Sequence, residues 1–542
     1  MMALRRYYHT IRHLRPIQIA GRVRLALPKP RPDLRPPPTL RRPCAPYAAP
    51  IAPQPSLTGP DTFRLLNVER RCQSAVDWNP QDVSQLWTYQ LHYFDDLNAR
   101  EAAARVAWHR QLLSRWVREN PPALGPGWEP YPLSRRVVNW VKWALGGQPL
   151  PEACQASLAV QVRWLRRRLE RHLLGNHLLA NAKALVYAGA YFDGAEADRW
   201  YRGGVALVGR QLREQVLADG AHVELTPMYH AAALEDLLDL INLLAAFGRP
   251  VPGDWPLLAA RMRNWLAVMT HPDGEIAFFN DAAFDAAPSL REVDEYARRL
   301  GLPQPERVAS PLATLAASGY VRAILGPASL ICDCGPVGPD YLPAHAHADT
   351  LSFELSIDGR RVLVNSGTSQ YGADAERQRQ RGTSAHNTVS IDGADSSEVW
   401  AGFRVARRAR AELHRASATP TAVCIEGTHD GYRRLPGRNR HTRRWMLEAG
   451  SLQIDDRITG PCACAEARLF LHPDVGVRGA PGGELILTLA GRDIARVACD
   501  GAVSVAIQPA TWHPRFGVSI PNRCLVARFS GAALTTRLRW PA

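Results

Sequence analysis

Two periodicities divide this chain. From Val83 to about Leu300, apolar residues recur three and four positions apart, the spacing of helices that bury one face. Leu158, Val162, Leu165, Leu169 and Leu173 fall on one such face, and Leu178, Leu179, Ala182, Leu185 and Val186 begin another after Gly175-Asn176. Gly175 reads as the residue just past a helix end and Asn176 as the N-cap of the next helix. A further helix opens at Thr226-Pro227, with Thr226 as N-cap and Pro227 in the first helical position. Its buried face is Leu234, Leu237, Leu238, Ile241 and Leu244. His271-Pro-Asp-Gly274 and Phe278-Phe-Asn280-Asp281 are turn chemistry near the end of this half, and Arg307–Leu315 reads as a domain connection. After Ala317 the pattern changes to short strands separated by Gly, Pro and Asp-Gly turns, through Trp540. Helices first and strands second imply two domains, and many short, evenly spaced strands imply a β-sandwich. Ahead of both, Leu14–Leu27 reads as a short basic amphipathic helix, docked on the protein in the simpler reading and lying on a membrane surface in the other. Pro28–Pro60 reads as an extended linker or wrapping arm. The boundaries that follow are 1–60 for a basic, proline-rich arm, 61–310 for the helical domain and 318–542 for the sandwich.

The stretch Tyr341–Gly393 carries the densest chemistry. Leu351, Phe353, Leu355 and Ile357 alternate as one face of a strand, Asp358-Gly359 supplies a tight turn, and Val362–Val364 start the return strand. If the extended chain reaches back to His345, the period of two sets His345, His347 and Asp349 on a common face. A third imidazole, His386, precedes the next strand. Such a cluster suits metal binding or proton transfer. In the helical half, Tyr229 falls in the first turn of its helix, where free N–H groups and the dipole favour a partly acidified phenol. Trp128 and Arg135 lie in an aromatic and basic run that suits sugar rings and their acidic groups, although core packing accounts for such tryptophans equally well.

Composition narrows the partners. The chain has 542 residues, too many for one ordinary core. Lys+Arg 66 against Asp+Glu 51 leaves a net charge of +15, which suits a polyanionic polysaccharide, nucleic acid or an anionic membrane. The charge is spread along the chain and no nucleic-acid-binding motif appears, so nucleic acid ranks far below the others. Cys332/Cys334 and Cys462/Cys464 are one residue apart, not the two of zinc knuckles. No run is long and apolar enough to span a bilayer. The basic start lacks the apolar core of a secretory signal, a cytoplasmic reading if taken literally. No nucleotide motif is present, and nothing marks Glu224 and Asp349 as the carboxylate pair that glycoside hydrolysis requires.

Four segments then resemble one family: His345-Ala-His-Ala-Asp-Thr-Leu-Ser-Phe-Glu-Leu, Asn365-Ser-Gly-Thr, Arg381-Gly-Thr-Ser-Ala-His-Asn-Thr-Val and Glu398-Val-Trp-Ala-Gly-Phe-Arg404. With Trp87–Leu97, Trp128–Trp143, Gly175-Asn-His and Glu224-Leu-Thr-Pro-Met-Tyr-His, they are similar to the heparinase II/III-like polysaccharide lyases, particularly relatives encoded with bacterial exopolysaccharide assembly. The likeness covers roughly residues 60–540. It implies an α+β multidomain fold, an N-terminal incomplete (α/α) toroid followed by a C-terminal antiparallel β-sandwich. It also implies cleavage of an acidic, uronate-containing polysaccharide by β-elimination. Carried over by motif, Asn176 with His177 holds the uronate carboxylate, Tyr229 and His345 exchange the proton, and Trp128, Arg135 and Arg381 contact substrate. The family's divalent metal, often zinc, falls to His347 and His386 with Asn365 at a position where relatives carry Asp. A neutral amide is a poorer ligand, and Asp349 replaces it only by facing both imidazoles. Family substrates are met in the cell envelope or periplasm, against the cytoplasmic reading above. A non-lytic polysaccharide-binding or modifying protein of exopolysaccharide assembly is the alternative function.

Overall fold

The computed structural model describes residues 2–305 and 310–541. Two short helices come first, α1 (Met2–Ile11) and α2 (Pro16–Ala26). A proline-rich stretch then runs extended along the helical domain. Lacking many N–H donors, it needs few partners, and these include main-chain groups at helix ends. Arg41 N donates to Tyr191 O (2.8 Å), Asp193 N to Thr39 O (2.7 Å) and Cys44 N to Ala246 O (2.8 Å). Two helices stand at the head of this stretch, where the sequence suggests one.

The helical domain comprises α3 (Gln85–Leu91), α4 (Val106–Glu119), α5 (Pro130–Leu145), α6 (Glu152–Arg167), α7 (Gly175–Tyr191), α8 (Ala195–Gln215), α9 (Pro227–Ala246), α10 (Trp255–Val268) and α11 (Leu290–Arg299). Its main core includes Trp116, Trp140, Leu185, Val186, Leu234, Leu238 and Leu244. Helix α9 starts as its sequence dictates: Thr226 Oγ1 accepts from Tyr229 N at 2.9 Å and Pro227 is N1. The five leucine and isoleucine positions expected to face inward are all buried. The α6–α7 junction differs from expectation. Helix α6 stops at Arg167, so Leu169 and Leu173 lie in the following turn. Leu174, at φ 65°, precedes Gly175, the first residue of α7. Asn176 is therefore inside the first turn rather than capping it.

The second domain is built from antiparallel strands. A five-stranded meander runs Leu312–Leu315, Tyr320–Leu325, Ala328–Asp333, Phe353–Ile357 and Arg360–Leu363. An eight-stranded sheet and a four-stranded sheet share its core, where Phe353, Leu355, Trp445, Leu469 and Leu525 meet. The Asp358-Gly359 hairpin forms as its sequence predicts, pairing Ile357 with Arg360. The connection expected at 307–315 falls partly on residues 307–309, outside the described residues, and from Leu312 onward it is already strand. The expectation that the strand reaches back to His345 is overturned. Residues 341–352 form a loop, and Leu351, at φ 61°, breaks the extended path just ahead of the strand that starts at Phe353. Helix α12 (Ala375–Arg381) lies against this loop. The loop and α12 form the seam with the helical domain.

Candidate active site

The loop aims its two histidines not by strand alternation but at one buried carboxylate, Asp281, from the segment between α10 and α11. His345 Nδ1 lies 2.9 Å from Asp281 Oδ2 and His347 Nε2 lies 2.8 Å from Asp281 Oδ1. Arg377 of α12 grips the same carboxylate with both terminal nitrogens, NH2 at 2.7 Å, and Thr368 Oγ1 donates at 3.2 Å. Burial alone would raise the Asp281 pKa, but the Arg377 charge and the two imidazole hydrogen bonds hold it well below the usual carboxylate range. An ionised Asp281 accepts from His345 Nδ1–H, which leaves Nε2 as the basic nitrogen. Nε2 is 3.6 Å from Glu224 Oε2, a buried oxygen with no hydrogen-bond partner among the described residues.

Tyr229 lies across the His345 ring, centroids 4.0 Å apart, and its hydroxyl is 3.0 Å from that of Tyr371. The Tyr229 phenol is not acidified, contrary to the expectation from its place in the helix. Its N–H is occupied by Thr226, and burial, reinforced by the Tyr371 hydroxyl, pushes its pKa well above 10. On the opposite wall, Glu224 Oε1 accepts from Asn176 N at 3.2 Å. The Asn176 side-chain amide is partly exposed and has no partner among the described residues, so it is free for a ligand. His177 Nδ1 sits 3.0 Å from Glu170 Oε1 and its ring stacks on Tyr131 at 4.4 Å. Burial lowers the His177 pKa, but the charge and hydrogen bond of Glu170, helped by Glu224, bring a net rise. Gly175, at φ +54°, makes this wall possible. A Cβ there would lie 2.3 Å from Leu342 Cδ2 and 2.5 Å from Glu224 Oε1.

The four proposed catalytic residues therefore line one cleft at the seam. The proposed substrate contacts divide. Arg135 remains partly exposed, 3.3 Å from Asp95, beside Tyr131. Trp128 is buried in the helical core with its indole N–H on Asn120 O, so no sugar ring reaches it. Arg381 is wholly buried and binds Ala346 O through Nε (3.0 Å) and NH2 (2.9 Å), pinning the backbone between the two histidines. Burial and the nearby Arg377 lower its pKa to about 9. Asp281, Arg377, Tyr371 and Glu224 are the functional residues that motif spacing missed.

The expected metal ligands have other engagements. His347 Nδ1 faces His386 Nε2 at 3.2 Å, and burial takes both imidazoles to low pKa values, about 4 and about 3. Asn365 Nδ2 donates to Phe278 O (2.8 Å), and its Oδ1 accepts from Asn387 N (3.0 Å). Asp349 accepts from Asn280 N, and among the described residues no hydrogen bond joins it to His386. His386 Nδ1 is buried and has no hydrogen-bond partner among the described residues. Among the described residues no three His, Cys, Asp or Glu side chains converge on a common ion position. This donor set does not fit the three-ligand zinc centre.

Comparison with known proteins agrees with this architecture. The heparinase II/III N-terminus model matches residues 69–301, and the heparinase II/III-like, C-terminal model matches 307–541. FtsZ-localized protein C of Caulobacter vibrioides is 28% identical over 483 residues, 80% of this chain and 78% of that protein. A heparin-sulfate lyase of Bacteroides stercoris is 26% identical over 363 residues, 60% of this chain; the chain spans about half the length of that lyase. The crystal structure of heparinase III superposes with a TM-score of 0.66 at 17% identity, over 86% of this chain and 79% of that one. Both halves match in order, and the helical domain joins the antiparallel sandwich at the cleft: the chain belongs to the heparinase II/III-like family.

Proposed function

We propose that this protein is a polysaccharide lyase that cleaves a uronate-containing glycan by β-elimination. The observation that carries the reading is the close ring contact of Tyr229 with His345, each tied to its own hydrogen-bonded anchor, beside the free Asn176 amide. The heparin-sulfate lyases among the relatives support the reaction class. In this scheme the Asn176 N–H₂ and the His177 imidazolium bind the uronate carboxylate and stabilise the charge that grows on it as the C5–H bond weakens. His345 Nε2 takes the C5 proton. The electron pair left on C5 forms the C4–C5 double bond as the C4–O4 bond breaks. The high pKa of Tyr229 keeps its proton in place at neutral pH, which suits donation to the leaving O4 rather than abstraction. Tyr371, in contact with that hydroxyl, is placed to reprotonate it. The +15 charge supports an acidic polymer as substrate, and we extend the reading to an exopolysaccharide of the cell envelope.

The direct test is the ultraviolet absorbance of an unsaturated uronate across a panel of uronate polymers. Tyr229→Phe should lower turnover by about 10²–10⁴-fold, the range of a positioned acid, with glycan affinity retained. No absorbance change from the wild type on any polymer counts against the lyase. A second reading, a glycan-handling protein that cuts no bond, draws on one fact: the relative matched over most of its length is named for FtsZ localisation, not for lysis. Binding without cleavage, unchanged in Tyr229→Phe, favours it.

His177 also gives a pH signature. Its pKa is raised by Glu170, so the ion pair stabilises the fold fully below the unfolded value near 6.5 and is lost as pH rises through the higher folded value. Over that same rise the carboxylate site loses its positive charge. KM for an anionic glycan should therefore climb with pH above about 6.5, and His177→Gln should flatten the climb. An identical KM profile in the variant removes His177 from the binding site.

A further inference from the structure

Helices α1 and α2 lie on the surface and are exposed over most of their length. A few polar and aromatic side chains hold them to the protein. Gln18 Nε2 donates to Tyr341 O (3.1 Å), Arg15 lies 3.4 Å over the Tyr341 ring, Tyr7 meets Trp400 edge-on at 5.0 Å, and Thr10 donates to Val405 O (3.4 Å). Their aliphatic side chains face outward. Leu4, Ile11, Ile19, Val23 and Leu27 are 50–76% exposed. A helix docked by hydrophobic burial would have the opposite arrangement. Beside this face runs a groove of about 550 Å³ between α2 and the end of α6, lined by Ile17, Leu25 and Leu27 and by Arg24, Arg166, Arg167, Arg168 and Arg171. Among the described residues none of these five arginines is in an ion pair with a carboxylate.

We propose that this face, α1, α2 and the arginine groove, docks on an anionic lipid bilayer. The unpaired arginines and the exposed aliphatic side chains lie side by side, the combination of an interfacial helix whose apolar face enters the acyl boundary while its cations meet the headgroups. A polyanionic glycan satisfies the arginines equally but offers the aliphatic side chains no apolar surface, and an acidic protein partner would not need so dense a row of guanidinium groups. Among the described residues no helix is long and apolar enough to cross a membrane, so the contact is peripheral.

The test is sedimentation of the full chain with phosphatidylglycerol–phosphatidylcholine vesicles and with pure phosphatidylcholine vesicles. The expected result is binding to the mixed vesicles that added salt weakens, with little on the neutral ones. Ile19→Glu/Val23→Glu and, separately, Arg166→Glu/Arg167→Glu should each reduce binding about tenfold or more, since each removes one of the two signals that stable interfacial attachment requires. All four side chains are exposed, so melting curves should stay at the wild-type value and exclude misfolding. A full chain that stays in the supernatant with both vesicles overturns the proposal. So does wild-type sedimentation of the Ile19→Glu/Val23→Glu variant, and so does binding to heparin that is lost in the arginine variant while vesicles are ignored, which would assign the groove to glycan.

Discussion

His345→Ala should reduce elimination by about 10²–10⁴-fold, the range for loss of a positioned general base, while the melting temperature moves little. Its imidazole is at the rim of the cleft, 9% exposed, and its removal leaves Asp281 still bound to Arg377, His347 and Thr368. His347→Ala is the contrasting variant. That imidazole is fully buried and bridges Asp281 to His386, so its loss opens a cavity and strips a buried hydrogen bond from each neighbour. Its melting temperature should fall, and activity should follow because the loop that carries His345 loses an anchor two residues away. Metal analysis of the wild type and both variants, run beside the melting curves, separates an anchor made of protein groups from one that holds an ion. Equal melting shifts in the two variants would refute the division of labour. Wild-type turnover in His345→Ala would remove it from the chemistry.

Asp281→Asn should cost about 3–5 kcal/mol, the penalty for breaking one partner out of a buried ion pair. The variant keeps its shape, but it leaves the Arg377 guanidinium buried without a counter-charge and turns an acceptor toward it into an amide N–H₂. Asp349→Asn is the control, equally buried and equally isosteric. Burial raises the Asp349 pKa and no cation among the described residues forms an ion pair with it, so a neutral amide that still accepts from Asn280 N should cost far less. Urea unfolding of the two variants gives the comparison. Similar losses in both would mean that the site is held by shape and not by the Asp281 charge.

How much of this was legible in the sequence varies with how local the cause is. Thr226-Pro227 and Asp358-Gly359 act over a few residues, and both appear where their chemistry requires. The paired histidines were legible as a site, but their period of two suggested a strand where Leu351 forces a turn. Gly175-Asn176 matched a helix stop and start, yet α6 had already ended at Arg167 and Asn176 was left with its amide free. Asp281 was beyond local reading. It lies 64 residues before His345 in a segment that looks like any turn, and only the packing of the two domains makes it the hub. Arg377 and Arg381 show the same limit at short range. One turn apart on α12, one neutralises Asp281 and the other holds a carbonyl, a division that no spacing rule distinguishes.

Gly175 has a mechanical consequence. Leu342 comes from the sandwich side and Glu224 from the toroid side, and both press on the place where a methyl group would sit. Both are tips of flexible side chains that can turn aside, so the fixed constraint at this position is the backbone, where φ +54° strains any residue that carries a Cβ. Gly175 thus lets the chain turn from Leu174 straight into α7 while side chains from the two domains meet over it.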